Sequence, residues 1–218
     1  MVCIDAVAYT PHRLIDVKET GVDFIVFSFY KTYGPHYAMM YGKKEILDTL
    51  PGINHFFIKD PPYKFQPGNF NFEFCHGLGA LPDYFSDLAK KHGYKGDDSR
   101  DRFRYIYSLM AVHEEELSAR VLDYLKSRND ISIVGPAESS PDIRVPTISF
   151  VQKNRDSREI TVKTDEHKVA IRWGHFYAYR LIHDLGLDKQ NGVVRISMVH
   201  YNSLEEVDRL INALDYAL

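Results

Sequence analysis

The chain has 218 residues, 44% hydrophobic and 26% charged, which suits one large globular domain or a domain and a half and excludes disordered and fibrous classes. Its formal charge of -3 offers no basic field for a nucleic-acid backbone, so no nucleic-acid partner is expected. Two cysteines, Cys3 and Cys75, are too few for a disulfide framework and fit a reducing cytoplasm.

No apolar run reaches the length of a membrane span, so no membrane partner is expected; Phe24 to Phe27 is bounded by Asp23 and Ser28. Asp5 interrupts the first apolar residues and no basic region precedes them, so no signal peptide is expected. No internal repeat or low-complexity tract occurs.

Val2 to Ala8 is β-prone apart from Asp5, and Val22 to Phe27 is nearly all apolar, as in a strand covered on both faces. Leu14 to Thr20 can form a short helical connection, so the two strands read as parallel neighbours in an α/β sheet. Tyr37 to Tyr41 is a third apolar stretch. Lys59 to Asn71, rich in Pro, Gly, Asn and aromatic residues, reads as a long ordered loop, and Phe74 to Ala89 as helix. His92 to Arg102 is a polar connection. Leu117, Val121 and Leu125 then mark one face of a long helix.

Beyond Ser127, strands are expected at Ile131–Val134, Thr147–Val151, Lys168–Arg172 and Val193–Val199, with helices at Phe176–Leu185 and from Leu204 onward. The last helix is best marked: Ser203 and Glu206 form a capping box, and Val207, Leu210, Ile211, Leu214 and Leu218 supply its apolar stripe. A domain boundary is expected within residues 105–127, giving domains of residues 1–115 and 116–218. Met1 leads straight into what reads as an interior strand, and few strands precede the boundary. The first domain therefore reads as the second half of a larger sheet.

In open α/β sheets functional groups gather at the carboxyl ends of strands. Asp5 and Lys31 take such places, Lys31 within Ser28-Phe29-Tyr30-Lys31-Thr32-Tyr33-Gly34-Pro35. An amine held between aromatic residues is partly desolvated, which favours the neutral nucleophile that forms a Schiff base with a carbonyl. A nearby aspartate suits a protonated pyridine nitrogen. Composition alone leaves this reading beside a plain structural pair or two solvated charges.

The segments Asp5-Ala6-Val7-Ala8-Tyr9-Thr10-Pro11-His12-Arg13 and Gly21-Val22-Asp23-Phe24-Ile25-Val26-Phe27-Ser28-Phe29-Tyr30-Lys31-Thr32-Tyr33-Gly34-Pro35-His36 resemble the pyridoxal-phosphate region of class V aminotransferases, in the cysteine-desulfurase-like branch. Gly68-Asn69, Val194-Arg195-Ile196-Ser197 and Tyr201-Asn202 extend the resemblance over essentially the whole chain. The resemblance implies a partial fold-type-I fold in the α/β class: the second half of the large, mostly parallel sheet domain, then a C-terminal small α+β domain.

It further implies pyridoxal 5'-phosphate as cofactor and an amino-acid substrate, with transferase or carbon–sulfur lyase chemistry in a cytoplasmic homodimer. Lys31 would be the Schiff-base lysine and proton shuttle, and Asp5 the partner of the pyridine nitrogen. Ser28 and Tyr30 would contact the cofactor phosphate, and Asn69 the phosphate of the opposite subunit. Arg195 would clamp the substrate α-carboxylate. Tyr177, in Arg172-Trp173-Gly174-His175-Phe176-Tyr177, stands at or next to the desulfurases' cysteine nucleophile, and a phenol cannot carry a persulfide. Ala8 stands where a Gln commonly contacts the cofactor's phenolic oxygen. The family's first half, with its phosphate cradle, is missing from the resemblance, so the alternative is a non-catalytic or incomplete chain that a partner chain completes.

Other candidates read blandly. His113-Glu114-Glu115-Glu116 lacks a second histidine, with Leu117 in its place, and no metal is expected there. His12, His36, His175 and His200 read as structural. Arg100, Arg102 and Arg104 near Asp98 and Asp101 read as a screened surface cluster.

Overall fold

Asp5 ends the first strand through its own side chain: Oδ1 accepts a hydrogen bond from the Val7 amide at 3.0 Å, and the Tyr9 and Thr10 amides then both donate to Ala6 O. This local turn chemistry stops β1 at Cys3–Asp5, shorter than the apolar run suggests. The architecture comes from a computed structural model that describes residues 1–66 and 68–218.

The chain divides into two compact units, Met1–Ser108 and Leu109–Leu218, and the division falls inside one long helix. In the first unit, β1 lies parallel to β2 (Phe24–Ser28), with Cys3 opposite Phe24, Ile4 opposite Ile25 and Asp5 opposite Val26. The crossover contains α1 (Val17–Thr20), which Asp16 caps by accepting from the Lys18 amide at 2.9 Å. Gly21 closes it at φ 64°, a left-handed conformation that glycine adopts without steric cost. β3 (Ala38–Gly42) runs antiparallel to β2, so this three-stranded sheet, ordered β1-β2-β3, is mixed, as a part of the fold-type-I sheet.

Burial corrects a second expectation. β1 is exposed along its whole length, and Ile25 is the one buried residue of β2, so neither strand is covered on both faces. Ala6, Val22 and Ile25 form a small core with Ile15, Val17, Phe27 and Tyr41 against it.

After β3 come α2 (Lys44–Thr49), α3 (Phe72–Leu78) and α4 (Ala80–Lys91). The helix expected over residues 74–89 is two helices meeting at Gly79. Pro82 has no amide to bond the Leu78 carbonyl and its ring crowds that oxygen, so it is accommodated in a fresh first turn. Helix α5 (Ser99–Lys126) starts earlier than its apolar stripe, inside the expected polar connection. The arginines of its first turns are engaged: Arg100 with Asp16, Arg104 with Asp101 and Glu19, and Arg102 with Ser86 Oγ at 3.0 Å.

The second unit holds the rest of α5, then β4 (Ile131–Val134), β5 (Thr147–Gln152), α6 (Ser157–Glu166), β6 (Arg172–Gly174), α7 (Tyr179–Asp184), β7 (Val193–Ser197) and α8 (Leu204–Ala217). Its sheet, ordered β4-β5-β7-β6, is antiparallel throughout. Leu117, Val121 and Leu125 of α5 pack with Ile148, Phe150, Val194 and Ile196 of the sheet and with the apolar stripe of α8. The capping box is formed: the Glu206 amide donates to Ser203 Oγ at 3.3 Å, and the Ser203 amide to Glu206 Oε2 at 3.0 Å.

Three expectations change here. The strand over 168–172 is absent, because Lys168 takes φ 58° in the turn that ends α6; pairing starts only at Arg172. Helix α6 has no counterpart in the sequence reading, since its buried face includes Ser157, Thr161 and Thr164 rather than an apolar stripe. Helix α7 begins at Tyr179 rather than Phe176, because Phe176 and Tyr177 have φ 50° and 64°.

Candidate functional site

Parallel pairing of β1 and β2 brings the carboxyl ends of both strands, Asp5 and Ser28, to the same edge of the sheet. A 3-10 turn, Phe29–Lys31, follows Ser28 directly, with the Thr32 and Gly34 amides both donating to Phe29 O at 2.8 Å. Lys31 ends this turn and is exposed.

The aromatic enclosure expected around Lys31 is not formed by the described residues. Phe29 turns toward Phe27, with ring centroids 5.0 Å apart, and Tyr33 toward Tyr84 and Phe85. Among the described residues Tyr30 accompanies the amine, its ring centroid 5.9 Å from Nζ, and Tyr30 itself sits edge-on to His36. Among the described residues Lys31 Nζ has no hydrogen-bond or ion-pair partner. Ser28 takes the N-cap position of the turn and makes no side-chain capping hydrogen bond. Asn69 is exposed, as is Asp5.

What fixes the Lys31 turn lies beneath it, in residues the sequence reading passed over. Thr32 is buried, and Tyr33, at φ 64°, donates its hydroxyl to Pro11 O at 2.8 Å. Phe29 and Thr32 also line an apolar cavity of about 420 Å³ with Ile25, Phe27, Leu81 and Phe85. Nothing but the spacing of threonines and aromatic residues hinted at this support.

In the second unit Arg195 occupies the middle of β7, paired with Ser149 of β5 on one side and Arg172 of β6 on the other. Val194 and Ile196 turn to the core, so Arg195 lies on the opposite face of the sheet. Its guanidinium carbon stands 3.9 Å from the Phe176 ring centroid, a cation–π contact, and its Nε is buried without a hydrogen-bond partner. Burial, and then the positive charge of Arg172, hold its pKa below the usual arginine value. Tyr177 is fully exposed beside a cavity of about 470 Å³ that Trp173, His175, Phe176 and Asp188 also line.

His113 Nε2 lies 2.8 Å from Asn202 O, and no group of three or more His, Cys, Asp or Glu side chains is placed to hold a metal among the described residues. Nor is any described helix long and apolar enough to cross a membrane.

The family model for class-V aminotransferases matches residues 1–100 and 101–210. The chain belongs to the class-V aminotransferase family. Among relatives, an aminotransferase-like protein of Gibberella zeae is 38% identical, over 100% of this chain and 52% of that protein. A cysteine desulfurase-like protein of Aspergillus flavus is 30% identical, over 99% of this chain and 47% of its own length. A cysteine desulfurase structure from Thermococcus onnurineus superimposes with a TM-score of 0.75 at 24% identity, covering 99% of this chain and 52% of that one. This class-V chain thus has part of the fold-type-I architecture and spans about half the length of the relatives named here.

Proposed function

We propose that this class-V chain carries the lysine-bearing side of a pyridoxal-phosphate site acting on an amino acid at its α-carbon. The observation that carries the reading is the β1–β2 register, which sets Asp5 and the Lys31 turn at the carboxyl ends of two adjacent parallel strands. The donor set supports it: an uncommitted amine for an aldehyde, a carboxylate for a ring nitrogen, and hydroxyls for a phosphate. When bound, pyridoxal phosphate supplies an electron-withdrawing ring that stabilises negative charge at the substrate α-carbon.

Lys31 would hold the cofactor through its aldehyde group and would move the proton at the substrate α-carbon. Asp5 holds a proton on the ring nitrogen through its carboxylate. Ser28 and Tyr30 donate hydroxyl hydrogens to the phosphate, and Asn69 donates an amide hydrogen to the phosphate of the opposite subunit in a cytoplasmic homodimer. Arg195 takes the substrate α-carboxylate. Tyr177 at the desulfurases' cysteine position leaves no thiolate to accept sulfur, so the reaction is transamination, elimination from Cβ, or carbon–sulfur cleavage without a protein persulfide.

Absorbance titration with pyridoxal phosphate tests this. The wild-type chain should develop a saturable visible band that Lys31→Ala abolishes and Asp5→Asn weakens. An identical band in Lys31→Ala contradicts the assignment.

A second reading is favoured by the exposed β1 edge together with coverage of about half of each relative named above. Here the chain is the incomplete part of a site, and another polypeptide supplies the remaining strands and the phosphate cradle. Sedimentation with and without a polypeptide matching the relatives' other half separates the readings. A stable monomer whose cofactor binding gains nothing from that polypeptide contradicts the second.

A further inference from the structure

The register of the second sheet aligns Val134, Ser149, Arg195 and Arg172 in one transverse row. Arg195 and Arg172 are therefore direct cross-strand partners. Such side chains share a face with Cβ atoms about 4.5–5.5 Å apart, and like charges there oppose pairing. Among the described residues neither arginine has an ion-pair partner to answer this charge. Arg195 is the more costly of the two, since its Nε is enclosed with no acceptor.

The surroundings keep the guanidinium in place. Gly174, Phe176 and Tyr177 all have positive φ, at 126°, 50° and 64°. Left-handed backbone at Phe176 and Tyr177 is unfavourable for residues with a Cβ and persists where the fold imposes it. Here it sets the Phe176 ring over Arg195. Phe176 is thus a positioning residue that directs a partly desolvated fork, and Arg172 stands beside it with its charge free.

We propose that Arg172 is a specificity-determining residue that binds a second anionic group on the substrate, making the substrate class α-amino acids with an acidic side chain. This deepens the reading in which Arg195 takes the α-carboxylate, and rests on it. A monocarboxylate answers one of the two cations, whereas a dicarboxylate answers both, each by a charge-assisted bond to a guanidinium. Two forks rooted on adjacent strands suit carboxylates separated by the α-carbon and one or two methylenes.

The test is equilibrium binding of L-aspartate and of its neutral isostere L-asparagine to the full cofactor-free chain, by calorimetry at low ionic strength. Wild type should bind aspartate about tenfold or more tighter than asparagine, the scale of one added charge-assisted contact. Arg172→Gln should erase that ratio while leaving asparagine binding within about twofold, and Arg195→Gln should weaken both ligands. Phe176→Leu should also weaken both, with the ratio kept. Equal affinities in wild type, no binding of either ligand, or an unchanged ratio in Arg172→Gln overturns the proposal. Arg172 is exposed, so its variant is expected to fold, and circular dichroism verifies this. Failure of cofactor attachment at Lys31 leaves these ratios untouched, and loss of the ratio leaves Lys31 chemistry untouched, so the two readings fail separately.

Discussion

Thr32 Oγ1 donates a hydrogen bond to Thr10 Oγ1 at 3.0 Å, tying the residue after Lys31 to the segment that leaves Asp5. Thr10 Oγ1 in turn donates to Ala6 O at 3.2 Å, and its carbonyl accepts from the Tyr107 hydroxyl at 3.2 Å. Both threonines are buried, at 6% and 7% exposure, so these bonds form out of water and fix the turn carrying the exposed amine. Thr32→Val keeps the shape and leaves Thr10 without its donor. It should cost about 1–2 kcal/mol, a fall in Tm of about 2–8 °C by thermal melt, and slow cofactor attachment at Lys31. An unchanged melting point would show the brace to be inert.

At the other end of the chain, the capping box predicts an acid-limb effect. The Asn202 amide first, then the Ser203 backbone, hold the Glu206 carboxyl below its ordinary 4.5. The folded value is depressed, so the stabilisation is present above pH 4.5 and is lost as pH falls through the folded value. Glu206→Gln should flatten that part of the Tm–pH curve, and Ser203→Ala should cost about 1 kcal/mol at neutral pH.

Tyr124 predicts the alkaline counterpart. Burial, and then its 2.8 Å hydrogen bond to Asp215 Oδ1, push its hydroxyl from 10 up to about 12. The folded value is raised, so the contribution is complete below pH 10 and disappears as pH climbs through about 12. Tyr124→Phe should remove this step from urea titrations across that range, while Tyr216→Phe should leave Tyr124's contribution in place.

Gly192 supports the Arg195 row from the backbone. It takes φ 82°, and a Cβ there would run into the Gly174 carbonyl. Gly192→Ala should therefore strain the β6–β7 ladder by about 2–4 kcal/mol. Its Tm should fall accordingly, and its preference for aspartate over asparagine should weaken together with the melt.

Much of this was legible in the residues. The β1–β2 crossover followed from two apolar runs around a short helical connection, and α8 from its cap and stripe, because each signal is local. The extent of β1 was not, since the Asp5 and Ala6 turn bonds that stop it lie outside any periodicity. Helix α6 was hidden because it buries threonines, which carry no apolar period. Asp5 and Lys31 stood out through their place at strand ends, but the solvent-facing side of Lys31 did not: whether Phe29 and Tyr33 turn toward the amine or away from it is decided by tertiary packing. The Arg172–Arg195 pairing was likewise invisible, since register across strands distant in sequence is set by the turns and core on either side.

The most direct measurement is to incubate the intact chain with pyridoxal phosphate, reduce with borohydride, digest and map the modified lysine by mass spectrometry. A single stable label on Lys31, competed by amino-acid substrate and depleted in Asp5→Asn, is the predicted result. Labels scattered over other lysines at equal yield, with Lys31 unmodified, would contradict it.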